Sequence, residues 1–227
     1  RYDQWRTLAK ALANDFDIEE NLYYSILPTV TQYARNALFS GLMPLDIKTQ
    51  YPNLWVDEEE DEGKNLHEEE LIRKQLERLR QLTPFSYHKL NDSSAADQVL
   101  SSYSEWSKHP LNVIVINFID MLSHARTESK MVRELASNEA AYRAITLSWF
   151  RHSAIRELFR RLAEGDAEVI LTTDHGSIRV DRPCKVVGDR NVNTNLRYKL
   201  GKNLNYPPKE VYEVRNPAAL KLPSPNL

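Results

Sequence analysis

The chain has 227 residues, enough for one sizeable core with a smaller appended part. A formal charge of −2 and a 41% hydrophobic share describe a globular protein with no general pull toward nucleic acid, and no apolar run nears the roughly 20 residues of a membrane span. The single Cys184 excludes an internal disulfide and fits a reducing, cytoplasmic setting; no signal peptide opens the sequence and no membrane insertion is expected.

Residues 2–14 have helical spacing, with Trp5, Leu8, Ala9 and Leu12 on one face. Residues 21–27 read as a strand, which ends on the hydroxyl-rich turn Pro28-Thr29-Val30-Thr31. A helix follows, with Gly41 as its C-cap. Thr31 is either a helix-cap hydroxyl or a nucleophile beside amide N–H groups able to hold an anion. Arg35 and Asn36 stand one turn further on, within reach of a phosphate or a leaving group. The Arg35 fork suits phosphate oxygens, and pairing with a surface acid is its other reading.

From Pro44 to about Pro110 the pattern is α-rich. The acidic run 57–62 reads as a solvated loop, followed by a charged helix over 66–82 whose thin apolar stripe includes Leu71, Ile72, Leu76 and Leu79. Residues 85–90 offer an extra strand, and 95–108 another helix. His67, His88 and His109 have no partner acid at ligand spacing and read as surface histidines. Residues 112–118 are a buried strand leading into Asp120 and His124, four apart and so on one face of a helical turn.

Met131 to Leu135 comes next, then one long helix over 138–164 with a broad apolar face, a crossover between two parallel strands. Residues 168–171, apolar and β-branched, read as a short buried strand ending at Thr172-Thr173-Asp174-His175-Gly176. Ligands collect beyond the carboxyl ends of strands in open α/β sheets. Asp174 and His175 there offer an oxygen and an imidazole nitrogen suited to zinc or a similar divalent ion. Past Gly176 basic residues dominate, among them Arg182, Lys185, Arg197, Lys199 and Lys202. Tyr198 and Tyr206 interleave with them, a pattern that reads either as a surface loop or as a platform for stacked bases.

Taken together, Thr31, Asp120 with His124, and Asp174 with His175 resemble the alkaline phosphatase superfamily of two-metal phosphatases, phosphodiesterases and sulfatases. More narrowly, Arg1-Tyr2-Asp3-Gln4-Trp5 and the run from Ala34 to Pro44 resemble the PglZ domain, as it occurs in PorX-type response regulators that govern type IX secretion in Bacteroidota. The resemblance implies an α/β fold, a mainly parallel sheet flanked by helices with an α-rich cap insertion. Its implied division is 1–44 for the first part of the core, 45–110 for the cap and 111–227 for the rest of the core. It implies Thr31 as the nucleophile beside two zinc ions, with Asp120 and His124 on one and Asp174, His175 and Thr31 on the other. Arg35 and Asn36 would touch substrate.

The same likeness implies a zinc-dependent phosphodiesterase acting on cyclic and linear oligonucleotides, partners such as a sensor kinase or sigma factor, and a homodimer. Its alternative is a metal-stabilised regulatory interaction module with little catalysis. A sulfatase would need Cys or Ser where Thr31 stands. Two family ligands have no counterpart: an Asp just before Arg1 and a His beyond His175. The chain is therefore expected to be part of a longer protein with an N-terminal receiver domain. Asp3 could replace the missing Asp but falls within a helical pattern.

Overall fold

The computed structural model describes all residues except 58–62, 64, 179, 181, 190, 191 and 225–227. In chain order the helices begin with α1 (Tyr2–Leu12), α2 (Thr31–Ser40), α3 (Pro44–Gln50) and α4 (Glu68–Arg78). Strand β1 (Phe85–Leu90) is followed by α5 (Ser93–Ser101) and α6 (Tyr103–Trp106), then by β2 (Leu111–Ile116). The remaining helices are α7 (Phe118–Glu128), α8 (Lys130–Leu135), α9 (Glu139–His152) and α10 (Ala154–Ala163). Two compact units result: Arg1–Leu22 with Thr83–Thr172, and Tyr23–Leu82 with Thr173–Leu227. The boundary at Leu82 falls inside the 45–110 stretch.

The first unit holds the sheet. β1 and β2 run parallel in register from Phe85 opposite Leu111 to Leu90 opposite Ile116. A parallel pair needs a crossover, and α5 with α6 supply it. Leu12, Leu90, Val99, Trp106, Phe150, Ile155, Leu158 and Phe159 form the core beneath it. Each such side chain contributes roughly 1.5–3 kcal/mol by leaving water. Local chemistry starts the helices: Asp92 Oδ1 accepts from the Ala95 N–H at 2.8 Å, and Asn138 Oδ1 from the Ala141 N–H at 2.9 Å. His88 faces Trp106, with ring centroids 5.5 Å apart, and so packs against the interior.

The second unit packs α2 on α4, around Tyr33, Ile47, Trp55 and Leu71. Gly41 ends α2 at φ 62°, with its N–H on the Ala37 carbonyl, the expected left-handed cap. Tyr198 joins this core edge-on to Tyr33 at 5.7 Å, which corrects the reading of its ring as an open stacking platform. The acidic run lies outside the described residues apart from Asp57, which binds Lys48 at 2.7 Å.

Three expectations about elements are corrected. The sheet among the described residues has two parallel strands, not a larger set, because 21–27 and 168–171 carry no ladder. Ile170 is 81% exposed. A β-branched run becomes a strand only where a neighbouring backbone meets its N–H and C=O groups. The carbonyls of Thr173 and Asp174 instead accept side-chain hydroxyls, from Tyr23 and from Ser25, the latter at 2.7 Å. Finally, the helix over 138–164 is two helices. Ser153 is extended at φ −98° and ψ 161°, and its hydroxyl lies 3.3 Å from the Phe150 carbonyl, a local bond that competes with the helical ladder.

Candidate functional site

Thr31 is the first residue of α2, with Val30 as an extended N-cap that carries no side-chain acceptor. The Val30 carbonyl takes the N–H groups of Tyr33 and Ala34. The amides of Thr31 and Gln32 donate to no protein acceptor among the described residues, so two donors at the positive end of the helix stay available to an anion. The Thr31 hydroxyl lies 3.3 Å from His175 Nε2. His175 is only 5% exposed.

Its ring orientation follows from its partners. Nδ1 sits 2.9 Å from the Gly176 carbonyl oxygen. A carbonyl only accepts, so Nδ1 carries the proton and Nε2 turns its lone pair toward Thr31. The neighbouring Asp174 is held on both carboxylate oxygens. Oδ1 accepts the His175 N–H at 3.0 Å, and Oδ2 faces Arg35 Nε at 3.3 Å. Arg35 Nη1 in turn donates to Glu68 at 3.2 Å, and Glu68 is 1% exposed. Glu68 does not stand out in the sequence, and Arg197, which donates to Thr29 and Gly176, reads there only as one of a basic run; no spacing rule connects them to Asp174 or His175.

Arg35 thus pairs with a buried acid, Glu68, and a part-buried one, Asp174, rather than with an open surface acid. Asn36, its neighbour, is 2% exposed on α2. In the first unit, α7 carries the second couple. Asp120 Oδ2 and His124 Nε2 are 3.5 Å apart, as their four-residue spacing requires. Arg1 donates to Asp120 Oδ1 and to the Ser123 hydroxyl, each at 2.5 Å. The His124 side chain is 69% exposed. Asp3 belongs to α1 and is paired with Arg143 at 2.9 Å. Burial holds the Tyr142 hydroxyl above its ordinary pKa, and that hydroxyl donates to the Ile119 carbonyl at the start of α7.

In donor chemistry both couples match what a divalent ion takes. Asp174 Oδ2 lies 3.9 Å from His175 Nε2, and the Thr31 hydroxyl adds a further oxygen 3.3 Å from the same nitrogen. Among the described residues no group of three or more His, Cys, Asp and Glu side chains is gathered at one point. Cys184 is no rival nucleophile, since burial and the adjacent Glu210 push its thiol up and away from the reactive thiolate. Among the described residues no helix is long and apolar enough to cross a membrane.

Comparison with known proteins gives the family. The sequence profile described as the BREX system PglZ alkaline phosphatase-like domain matches residues 1–225. No curated protein matches the chain. With nearly its whole length covered, and an α/β fold whose parallel strand pair is flanked by helices, the chain belongs to the PglZ family of alkaline phosphatase-like domains.

Proposed function

We propose that the chain is the catalytic effector domain of a metal-dependent phosphodiesterase, with Thr31 as nucleophile and cyclic or linear oligonucleotides as substrates. The observation that carries this reading is the Thr31 hydroxyl 3.3 Å from a nearly buried imidazole nitrogen at a helix start. Asp174, His175 and Thr31 would hold one ion, and Asp120 with His124 another, zinc being the best match to carboxylate and imidazole donors. An ion held by Asp174, His175 and Thr31 would neutralise charge on the attacking oxygen and lower the hydroxyl pKa.

The chain's own groups do the rest. Arg35 and Glu68 keep Asp174 in place, and the Gly176 carbonyl keeps His175 Nε2 aimed at Thr31. The first-turn amides of α2 receive the non-bridging phosphate oxygens. The Thr31 oxygen bonds to phosphorus as the ester bond to the leaving oxygen breaks, the hydroxyl proton leaving for solvent. Water then attacks the phosphothreonine and frees the hydroxyl again. Arg35 and Asn36 enter as residues behind the site, since the first is paired with acids and the second is buried.

The likeness to PorX-type regulators extends the proposal to a response-regulator role linked to type IX secretion, with a sensor kinase or sigma factor as partner and a homodimer as assembly. Against it stands a metal-stabilised interaction module, which the buried Arg35–Asp174–Glu68 network favours, because such a network stiffens a surface as readily as a catalytic site. Hydrolysis of a cyclic oligonucleotide by the complete protein with zinc separates the two. Thr31→Val is expected to lower kcat by on the order of 10³-fold or more. Equal rates remove Thr31 from the chemistry, and a zinc-loaded protein that cleaves no phosphoester while binding a partner favours the module.

A further inference from the structure

We propose that Arg197 is a positioning residue which ties the turn before Thr31 to the turn after His175, and so fixes the imidazole nitrogen that meets the nucleophile. The inference rests on the reading of Thr31 and His175 as reacting hydroxyl and imidazole partner. One guanidinium reaches both turns. Nη1 donates to the Thr29 carbonyl and, at 3.0 Å, to the Thr29 hydroxyl, two residues before Thr31. Nη1 and Nη2 both lie 3.3 Å from the Gly176 oxygen, the atom that accepts His175 Nδ1–H. Nη1 is also 3.3 Å from Nδ1 itself; with the proton on Nδ1, the two donors converge on that carbonyl instead of bonding each other.

The segment that presents Arg197 is anchored on both sides. Asn195 Oδ1 accepts the Arg197 N–H at 2.8 Å, and the Tyr198 ring stands edge-on to Tyr33, two residues past Thr31. A planar fork that cannot deprotonate is what bridging two carbonyl-bearing turns requires. A lysine, with a single ammonium, spans only one of them.

Two readouts test this on the complete protein. In metal-free, substrate-free protein, long-range ¹H–¹⁵N spectra of the His175 ring are expected to show the Nδ1–H form, and Arg197→Met is expected to give a mixture of both neutral tautomers. With zinc and a cyclic oligonucleotide, Arg197→Met should lower kcat about 10–100-fold, the range for lost outer partners of a metal-site ligand, with KM nearly unchanged. Arg197→Lys should restore little of it, and it carries the same comparison if the methionine variant does not fold. An unchanged tautomer with unchanged kcat overturns the proposal, and so does a loss confined to KM, which would make Arg197 a substrate contact. The ring spectra decide the matter even if the protein hydrolyses nothing.

Discussion

Asp174 with His175 and Asp120 with His124 are the same two side-chain types held by different means. In the second unit they are adjacent residues on an irregular segment, where neighbouring side chains diverge, and a shell of Arg35, Glu68, Gly176 and Arg197 holds them with side chains 12% and 6% exposed. In the first unit they are four residues apart on α7, and the helix alone brings them to 3.5 Å. Arg1 reaches Asp120 of that couple while also donating to Ser123, and His124 stands largely in solvent. A couple built by a helix needs little tertiary support, whereas one built on irregular backbone depends on it.

Substitutions probe that contrast. The largest effect is expected for Arg35→Met, which removes the guanidinium that pairs with the buried Glu68 and the part-buried Asp174. Urea unfolding should register a loss of about 3–5 kcal/mol, and a loss below about 1 kcal/mol would mean the network is not what supports Asp174. Next come the two histidines in metal-free protein. His175→Ala should cost about 1–3 kcal/mol by emptying a buried, hydrogen-bonded position. His124→Ala should stay within about 0.5 kcal/mol, and equal costs would erase the distinction between the couples.

Gly41→Ala should cost about 1–2 kcal/mol, since φ is 62° and a Cβ would stand 2.7 Å from Gln75 Nε2 on α4, where α2 is seated. The smallest effect belongs to the first unit. Arg160 and then Arg161 hold the Glu157 carboxyl down to about 2, from an ordinary value of 4.5. A depressed carboxylate pKa stabilises fully above the unfolded value. That contribution fades as pH falls from about 4.5 through 2, so Glu157→Gln should flatten a shallow acid limb by lowering the unfolding midpoint slightly at neutral pH while leaving it unchanged near pH 2. These side chains are 35–50% exposed, so solvent screening should keep the shift small.

Much of the first unit is legible residue by residue. Trp5, Leu8 and Leu12 announce α1, the expected start at 138 is that of α9, and Gly41 marks the end of α2 in the second unit. The spacing of Asp120 and His124 announces their shared face. By contrast, the run 168–171 has strand composition and yet forms none, and Ser153 divides a helix whose apolar periodicity continues through it. Composition measures what a backbone can do, and pairing depends on what lies beside it.

By itself, the sequence determined α1, α2 with its Gly41 cap, α4, the β1 and β2 segments and the proximity of Asp120 to His124, because each depends on contacts within a few residues. Only the tertiary structure decided that the Thr31 hydroxyl meets Nε2 of His175, that Arg35 turns to Glu68 and Asp174, and that Arg197 spans two turns. These partners lie between 21 and 168 residues apart along the chain. No local preference fixes such pairs; burying charged and polar groups where only those partners can satisfy them does.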